Sequence, residues 1–215
     1  MKSFKLNEIK VFYQVPYSHS VNLPGGIGFA RMYEEVLTEQ VDTLYEFCSG
    51  PAFIGFYFLS KGMCENLILS DINPLAIECI LRTIEYNDLG DKVEVWMSDG
   101  FKHIPYNVQA DLIISNPPHH KKIYDGCREL LHVDSNWNLH QNYYENLHRF
   151  LSYGGKSIWI ENSANGKPDG RYEGEGSTKD DFIPMIEKNK NIEYVSSKNC
   201  SFDEKYYFLE TRRLK

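Results

Sequence analysis

The sequence predicts an α/β fold: a doubly wound, mostly parallel sheet of seven strands, preceded by an N-terminal cap segment. Three observations carry this reading. From residue 44 onward, short apolar runs alternate with segments of helical period. The apolar runs stop at turn sequences: Ser49-Gly50-Pro51, Asp71-Ile72-Asn73-Pro74, Asp99-Gly100 and Ser115-Asn116-Pro117-Pro118. Repeated β-α-β alternation needs crossover helices, and these cover both faces of a parallel sheet.

The elements follow in order. Residues 44–48 form the first strand and 52–61 a helix. Residues 66–70 form the second strand. Pro74 then opens a helix, because a first-turn residue loses nothing by lacking an N–H. That helix runs to about residue 87, with Leu75, Ile77, Ile80, Leu81 and Ile84 near helical spacing. Residues 93–97 and 111–115 are the third and fourth strands. A helix over 138–151 is predicted to end at Gly154-Gly155. Residues 157–161 form the fifth strand and 180–188 a helix. Residues 192–196 and 206–211 are the last two strands.

Two stretches fall outside this rhythm. Residues 1–43 are expected to cap the C-terminal edge of the sheet, with a helix over 29–41; residues 44–215 are expected to form the α/β domain. Residues 162–178 are polar and glycine-rich, which suits either a lid or a solvated connection.

Composition narrows the function. The 215 residues carry a net charge of −7, so no global field draws nucleic acid, although a local basic patch would suffice. Cys48, Cys64, Cys79, Cys127 and Cys200 are odd in number and lack zinc-ligand spacing, which implies reduced thiols and a cytoplasmic protein. The first residues lack an apolar signal core. No apolar stretch approaches the roughly 18 residues of a membrane span.

The chemistry gathers at strand ends. A fixed turn after a buried strand is where open α/β sheets place their sites. After the first strand, Glu46, Cys48, Gly50 and Pro51 form a turn at which backbone can approach a ligand beside a helix N-terminus. Asp71 ends the second strand, where an acid meets ribose hydroxyls in nucleotide-binding sheets. Asp99, Gly100 and Phe101 follow the third strand, and Asn116-Pro117-Pro118-His119-His120 the fourth. A helix cap or a solvated turn accounts for any one acid alone. Four such elements at successive strand ends point to a nucleoside site.

With these residues, the chain resembles the class I S-adenosylmethionine-dependent methyltransferases, in the Asn-Pro-Pro-aromatic branch that usually methylates nitrogen. The resemblance covers residues 44–161 well and implies a Rossmann-like sheet with S-adenosyl-L-methionine as cofactor. It places the acid before the glycine loop on Glu46, the central loop glycine on Gly50 and the ribose acid on Asp71. Ile72 falls beside the adenine, Asp99 at the adenine amine and Phe101 against the ring. The motif after the fourth strand falls on Asn116, Pro117, Pro118 and His119, with Asn116 serving both cofactor and acceptor. The chain departs from the family twice. Cys48 and Ala52 stand where two of three loop glycines are usual, and His119 stands where a bulky aromatic is usual. Protein-glutamine methylating members usually show tyrosine at that place.

The resemblance implies a mechanism. The side-chain oxygen of Asn116 and the carbonyl of Pro117 accept hydrogen bonds from an NH₂ group and aim its lone pair at the methyl. His119 either stacks on the acceptor or takes a proton. A small-molecule or peptide substrate is favoured over nucleic acid, because the chain is acidic; an RNA base amine or a protein glutamine is the alternative. Tyr13, Tyr17, His19 and His120 are candidate substrate contacts, with plain packing as the rival reading for the first three. His119 and His120 have no third ligand at recognisable spacing, so no metal is expected. His132, His140 and His148 are read as a polar surface. A nicotinamide dehydrogenase is disfavoured, since the loop lacks Gly-x-Gly-x-x-Gly. A binding module without activity is the reading from a different class.

Overall fold

Seven strands build the mostly parallel α/β sheet, and they divide between two units, Met1–Ile114 and Ser115–Lys215. The structure, a computed structural model, describes residues 1–14, 25–123, 129–163 and 176–215.

The first unit opens with β1 (Lys2–Leu6) and β2 (Ile9–Tyr13), an antiparallel hairpin that turns at Asn7. Then come α1 (Gly25–Tyr33), β3 (Val41–Phe47), α2 (Phe53–Ser60), β4 (Cys64–Asp71), α3 (Pro74–Asn87), β5 (Val93–Met97) and β6 (Ala110–Ser115). Here the strand order is β5-β4-β3-β6, with β3–β4 and β4–β5 parallel. Leu44, Tyr45, Leu67, Ile68, Leu69, Leu112, Ile113 and Ile114 are all buried, as strands covered on both faces require. Helix α2 is apolar nearly all round and buries Phe53, Ile54, Phe56, Phe58 and Leu59. Each of those phenylalanines contributes on the order of 1.5–3 kcal/mol by leaving water. Helix α3 is amphipathic, burying Ala76, Cys79, Ile80 and Thr83 at i, i+3, i+4 and i+7. Asn73 caps it by accepting from Leu75 N at 3.0 Å, so it starts at the expected proline.

The N-terminal segment enters as a hairpin laid on α3. Lys10 N donates to Asn87 Oδ1 and Asn87 Nδ2 returns a bond to Lys10 O, both at 2.9 Å. Phe12 N donates to Thr83 Oγ1 at 3.0 Å. Helix side chains thereby satisfy backbone groups of an edge strand. The helix expected over 29–41 instead ends at Tyr33, where i→i−3 bonds from Glu34 and Glu35 tighten the chain and Val41 joins the sheet beside Cys64.

The second unit holds α4 (Glu129–His132), a 3₁₀ turn at Ser135–Trp137, α5 (Asn138–Asn146), β7 (Leu151–Asn162), α6 (Lys179–Lys188), β8 (Ile192–Asn199) and β9 (Tyr206–Arg213). Its strand order is β7-β9-β8, with both pairs antiparallel. Its core is aromatic: Trp159 packs on Tyr143 at 4.0 Å between ring centroids, and Trp137 on Phe182 at 5.1 Å. The helix expected over 138–151 stops at Asn146, and a 3₁₀ turn at Leu147–Arg149 leads directly into β7. Gly154 and Gly155 therefore lie inside a strand rather than after a helix; Gly154 has φ 77°. No helix among the described residues is long and apolar enough to cross a membrane.

Candidate active site

At the end of β3 the chain turns through Cys48, Gly50 and Ala52, all left-handed, with φ of 54°, 53° and 61°. Two of the three are not glycine, and they are the two at which the sequence resemblance expects glycines. Left-handed backbone costs an L-residue roughly 1–2 kcal/mol, so the backbone here keeps a glycine-like path without the glycines. Left-handed residues in a turn can aim backbone amides toward one side, as in anion and ligand cradles. Asp71, at the end of β4, ties this turn down: its Oδ2 accepts from Gly50 N at 2.7 Å and its Oδ1 from Asn73 N at 2.8 Å. The Ile72 amide bonds the same carboxylate, which offers about four acceptor sites, so about one remains for a ligand's hydroxyl.

Glu46 lies under the turn, 2 % exposed, and its Oε2 accepts from Gly55 N at 2.7 Å. Burial, with the charge of Asp71 adding to it, outweighs the bonds from the Gly55 and Ile54 amides and pushes its pKa up to about 8. Burial likewise raises Asp71, against bonds from the Asn73, Gly50 and Ile72 amides. Burial raises both acids, and a cationic ligand beside them would offset that cost. Only glycine fits at 55: a Cβ there would stand 2.8 Å from Glu46 Oε2 and 2.9 Å from Leu67 Cδ1.

The remaining strand-end residues divide. Ile72 is 45 % exposed, an apolar face open to a ring. Asp99 is exposed and pairs with Lys102. Phe101 is buried, its ring 4.8 Å from that of Phe47, so the face predicted to flank an adenine is spent in the core. Gly100 is left-handed, with φ 57°. Tyr13 ends β2 with its ring 5.4 Å from that of Phe53. Tyr17 and His19 lie outside the described residues, as do 164–175 of the loop and Cys127; Cys48, Cys64, Cys79 and Cys200 carry thiols rather than disulfides.

In the second unit, Asn116, Pro117 and Pro118 follow β6, and Asn116 Oδ1 stands 2.8 Å from His119 Nε2. With an oxygen facing it, that nitrogen carries the hydrogen. His119 Nδ1 is 3.5 Å from Oε2 of Glu161, the last buried residue of β7. Glu161 Oε1 is 3.0 Å from His140 Nε2, and His140 Nδ1 is 2.6 Å from Asp134 Oδ2. Asp134 also accepts from the backbone N of Leu139 and His140. His120 is buried; its N donates to His132 O and its O accepts from Asp134 N, so its backbone positions Asp134.

His140 corrects the sequence reading. It is wholly buried, stacked on Phe182 at 4.5 Å, not part of a polar surface. Burial alone favours the neutral ring, but the charge of Glu161 and the bonds to Asp134 and Glu161 win and push its pKa up to about 9. Glu161 sits below the usual carboxylate range: burial would raise it, and His140 and His119 more than reverse that. His148 is half-buried and bonds Asn189. Sequence reasoning missed Glu161 and Asp134. Glu161 had one signal, an acid closing a predicted strand; Asp134 lies just before the helix that carries its partners Leu139 and His140, a place where an acid reads as an ordinary cap.

The methyltransferase small domain family matches residues 30–163. Ribosomal RNA small subunit methyltransferase C of Haemophilus influenzae strain PittGG is 30% identical over 151 residues, covering 62% of this chain and 44% of its own length. Release factor glutamine methyltransferase of Chlamydia trachomatis is 25% identical over 197 residues, covering 86% of this chain and 60% of its own. The chain thus spans about half the length of the curated relatives it matches. Among solved structures, the T. thermophilus 16S rRNA N2 G1207 methyltransferase in complex with AdoMet and guanosine aligns with a TM-score of 0.59 at 15% identity, over 100% of this chain and 50% of that one. A Pyrococcus furiosus methyltransferase aligns at 0.63 and 15% identity, over 96% and 90%. Such likenesses show a shared fold. The family match spans more than half of the chain: the protein belongs to the methyltransferase small domain family and is a class I S-adenosylmethionine-dependent methyltransferase in family and fold.

Proposed function

We propose that the protein methylates nitrogen, using S-adenosyl-L-methionine, on a planar amino group borne by a macromolecule, with an RNA base amine as the first reading. The observation that carries it is Asn116, an amide oxygen set 2.8 Å from His119 Nε2 directly before two prolines. Two lone pairs on Oδ1 let it accept from His119 and from a substrate NH₂ at once. When bound, the cofactor supplies a methyl group on a sulfonium, activated for in-line displacement by a nitrogen lone pair. Asp71 holds a hydroxyl with its remaining acceptor position, and Glu46 ionises beside the incoming positive charge. Ile72 offers its exposed face to the adenine. Asn116 Oδ1 and the Pro117 carbonyl take the two N–H bonds of the acceptor and turn its lone pair out of the plane. As the nitrogen gains positive charge, these neutral acceptors and the carboxylate of Glu161 behind His119 oppose no part of it.

The acidic net charge had favoured a small molecule or a peptide. The named relatives draw the reading toward macromolecules, since one is a ribosomal RNA methyltransferase and another a release factor glutamine methyltransferase. Glutamine is the second reading, supported by the greater share of this chain, 86%, that aligns with the latter. His119, in place of the tyrosine usual among glutamine-methylating members, favours the base amine.

Transfer of tritiated methyl to deproteinised small-subunit ribosomal RNA, and to a glutamine-bearing release-factor peptide, tests this. Label on the exocyclic amine of an RNA base is expected. Asn116→Ala should lower the rate about 100-fold or more, with affinity for S-adenosylhomocysteine by calorimetry nearly unchanged. An unimpaired Asn116→Ala enzyme sinks the role given to Asn116. Label on the peptide alone moves the substrate to glutamine.

A further inference from the structure

We propose that the buried chain Asp134–His140–Glu161–His119 is a positioning relay that holds the side-chain amide of Asn116 in one orientation for the acceptor nitrogen. The inference rests on Asn116 being the acceptor-holding residue. Its four links are Asp134 Oδ2 to His140 Nδ1 at 2.6 Å, His140 Nε2 to Glu161 Oε1 at 3.0 Å, Glu161 Oε2 to His119 Nδ1 at 3.5 Å, and His119 Nε2 to Asn116 Oδ1 at 2.8 Å.

Proton counting fixes the state of the innermost ring. A neutral imidazole has one N–H, and both nitrogens of His140 face carboxylate oxygens. An imidazolium satisfies both; a neutral ring would leave one lone pair against a buried carboxylate, at the full cost of an unmet charge. The raised pKa of His140 agrees. Phe182 stacks flat on the ring, and Trp137 and Trp159 meet it edge-on at 5.0 and 4.9 Å, so aromatic faces support the cation. Two carboxylates and one imidazolium leave one negative charge, and Glu161 Oε2 presents it to His119.

Structural needs alone do not require this arrangement. A buried ion triad is seldom more stable than apolar residues of the same volume. Its last member instead faces His119, whose Nε2 stands 2.8 Å from Asn116 Oδ1. The groups around the relay are few. Ser177 Oγ donates to Glu161 Oε2 at 3.3 Å and lies 3.1 Å from Tyr207 Oη, on β9. Asp180 and Asp181, in the first turn of α6, act on Tyr207. Burial, with the charge of Glu161, raises Tyr207, so it stays neutral, and His140 is the group that titrates on the alkaline side.

The test has two parts. First, nitrogen-15 spectra of the histidine rings in the wild-type protein are followed from about pH 6 to about pH 10. His140 should show two protonated nitrogens through neutral pH and lose one near pH 9. A neutral His140 at pH 7 overturns the relay, whatever any variant does. Second, the rate of methyl transfer to small-subunit ribosomal RNA is profiled against pH for wild type, Glu161→Gln and Asp134→Asn. The wild-type kcat should fall on the alkaline side as His140 deprotonates. Either substitution should lower kcat about 10-fold, leave KM for the cofactor within about twofold, and move that alkaline limb to lower pH by about one unit or more. Equal limbs and equal kcat in a folded variant overturn the proposal. Should a variant not fold, the wild-type spectrum still decides. Failure of Asn116 itself is separate: an active Asn116→Ala enzyme removes the acceptor site while the His140 spectrum stands.

Discussion

Raising the pH should destabilise this protein in two separable steps, and the upper step belongs to His140. Its ordinary value is 6.5 and its folded value about 9, so the folded state binds the proton more tightly. The contribution is then fully present below pH 6.5 and is lost as pH rises through about 9. Proton linkage puts it at about 3 kcal/mol at pH 6, about 2.5 kcal/mol at pH 7 and close to zero at about pH 9.5. Glu46 acts in the same direction over a lower window. Its carboxyl goes from an ordinary 4.5 to about 8 on folding, so the unfolded chain gives up the proton first and stability falls across that interval. Glu46→Gln removes the lower step and isolates the upper one. The assay is urea unfolding by circular dichroism of the Glu46→Gln protein, at intervals between about pH 7 and about pH 9.5. A loss of about 2.5 kcal/mol at constant m-value is expected. A stability constant to within about 0.5 kcal/mol over that range would falsify a charged His140, because no neutral ring couples folding to protons there.

Two substitutions probe the turn above Glu46. Gly55→Ala puts a methyl 2.8 Å from Glu46 Oε2 and 2.9 Å from Leu67 Cδ1. It should lower stability by about 1–3 kcal/mol in urea unfolding and weaken S-adenosylhomocysteine binding measured by calorimetry; wild-type behaviour in both would mean that α2 does not seat on Glu46. Ala52→Gly relieves a left-handed alanine by about 1–2 kcal/mol, against about 0.5–1 kcal/mol of glycine entropy and about 0.8 kcal/mol for a buried methyl. It should therefore stay within about 1 kcal/mol of wild type, whereas Ala76→Gly in buried α3 lacks the relief and should cost more. Equal costs at the two sites would refute the strain at Ala52.

The parts of the fold that were legible are those that local chemistry decides. Helix α3 was readable to the residue at its start, because Asn73-Pro74 is both a cap and a proline at the first turn. Strands β3, β4, β5 and β6 announced themselves as apolar runs ending in turn residues. The N-terminal hairpin was also readable but was passed over: Phe4, Leu6, Ile9 and Val11 alternate around a two-residue turn, Asn7-Glu8. The helix over 138–151 overran because Leu147 and Phe150 continue its apolar period, while the backbone there is a 3₁₀ turn entering β7. The relay was out of reach for a different reason. Asp134, His140 and Glu161 meet through packing of α5 on β7 and have no common spacing, so a histidine at helical period reads as surface until its neighbours are known.

The two departures from the family pattern turn out to be of different kinds. At Cys48 and Ala52, where the resemblance expects glycines, the backbone takes the left-handed path that glycine adopts most readily. What a nucleoside turn needs is that path, with Gly50 N held at 2.7 Å by Asp71, and a count of glycines measures it only indirectly. At His119 the chemistry differs in kind from the aromatic that the resemblance expects there. An aromatic hydrocarbon ring offers a face and asks for no proton, whereas an imidazole has two polar nitrogens that a partly buried site must satisfy. Here one meets Asn116 and the other faces Glu161, which His140 and Asp134 in turn hold as a carboxylate. A single exchange of aromatic for imidazole thus carries a chain of three further ionisable groups with it. A phenylalanine at position 119 would take away the ring N–H that stands 2.8 Å from Asn116 Oδ1, so reversing the exchange alone changes how the amide is held as well as the face offered.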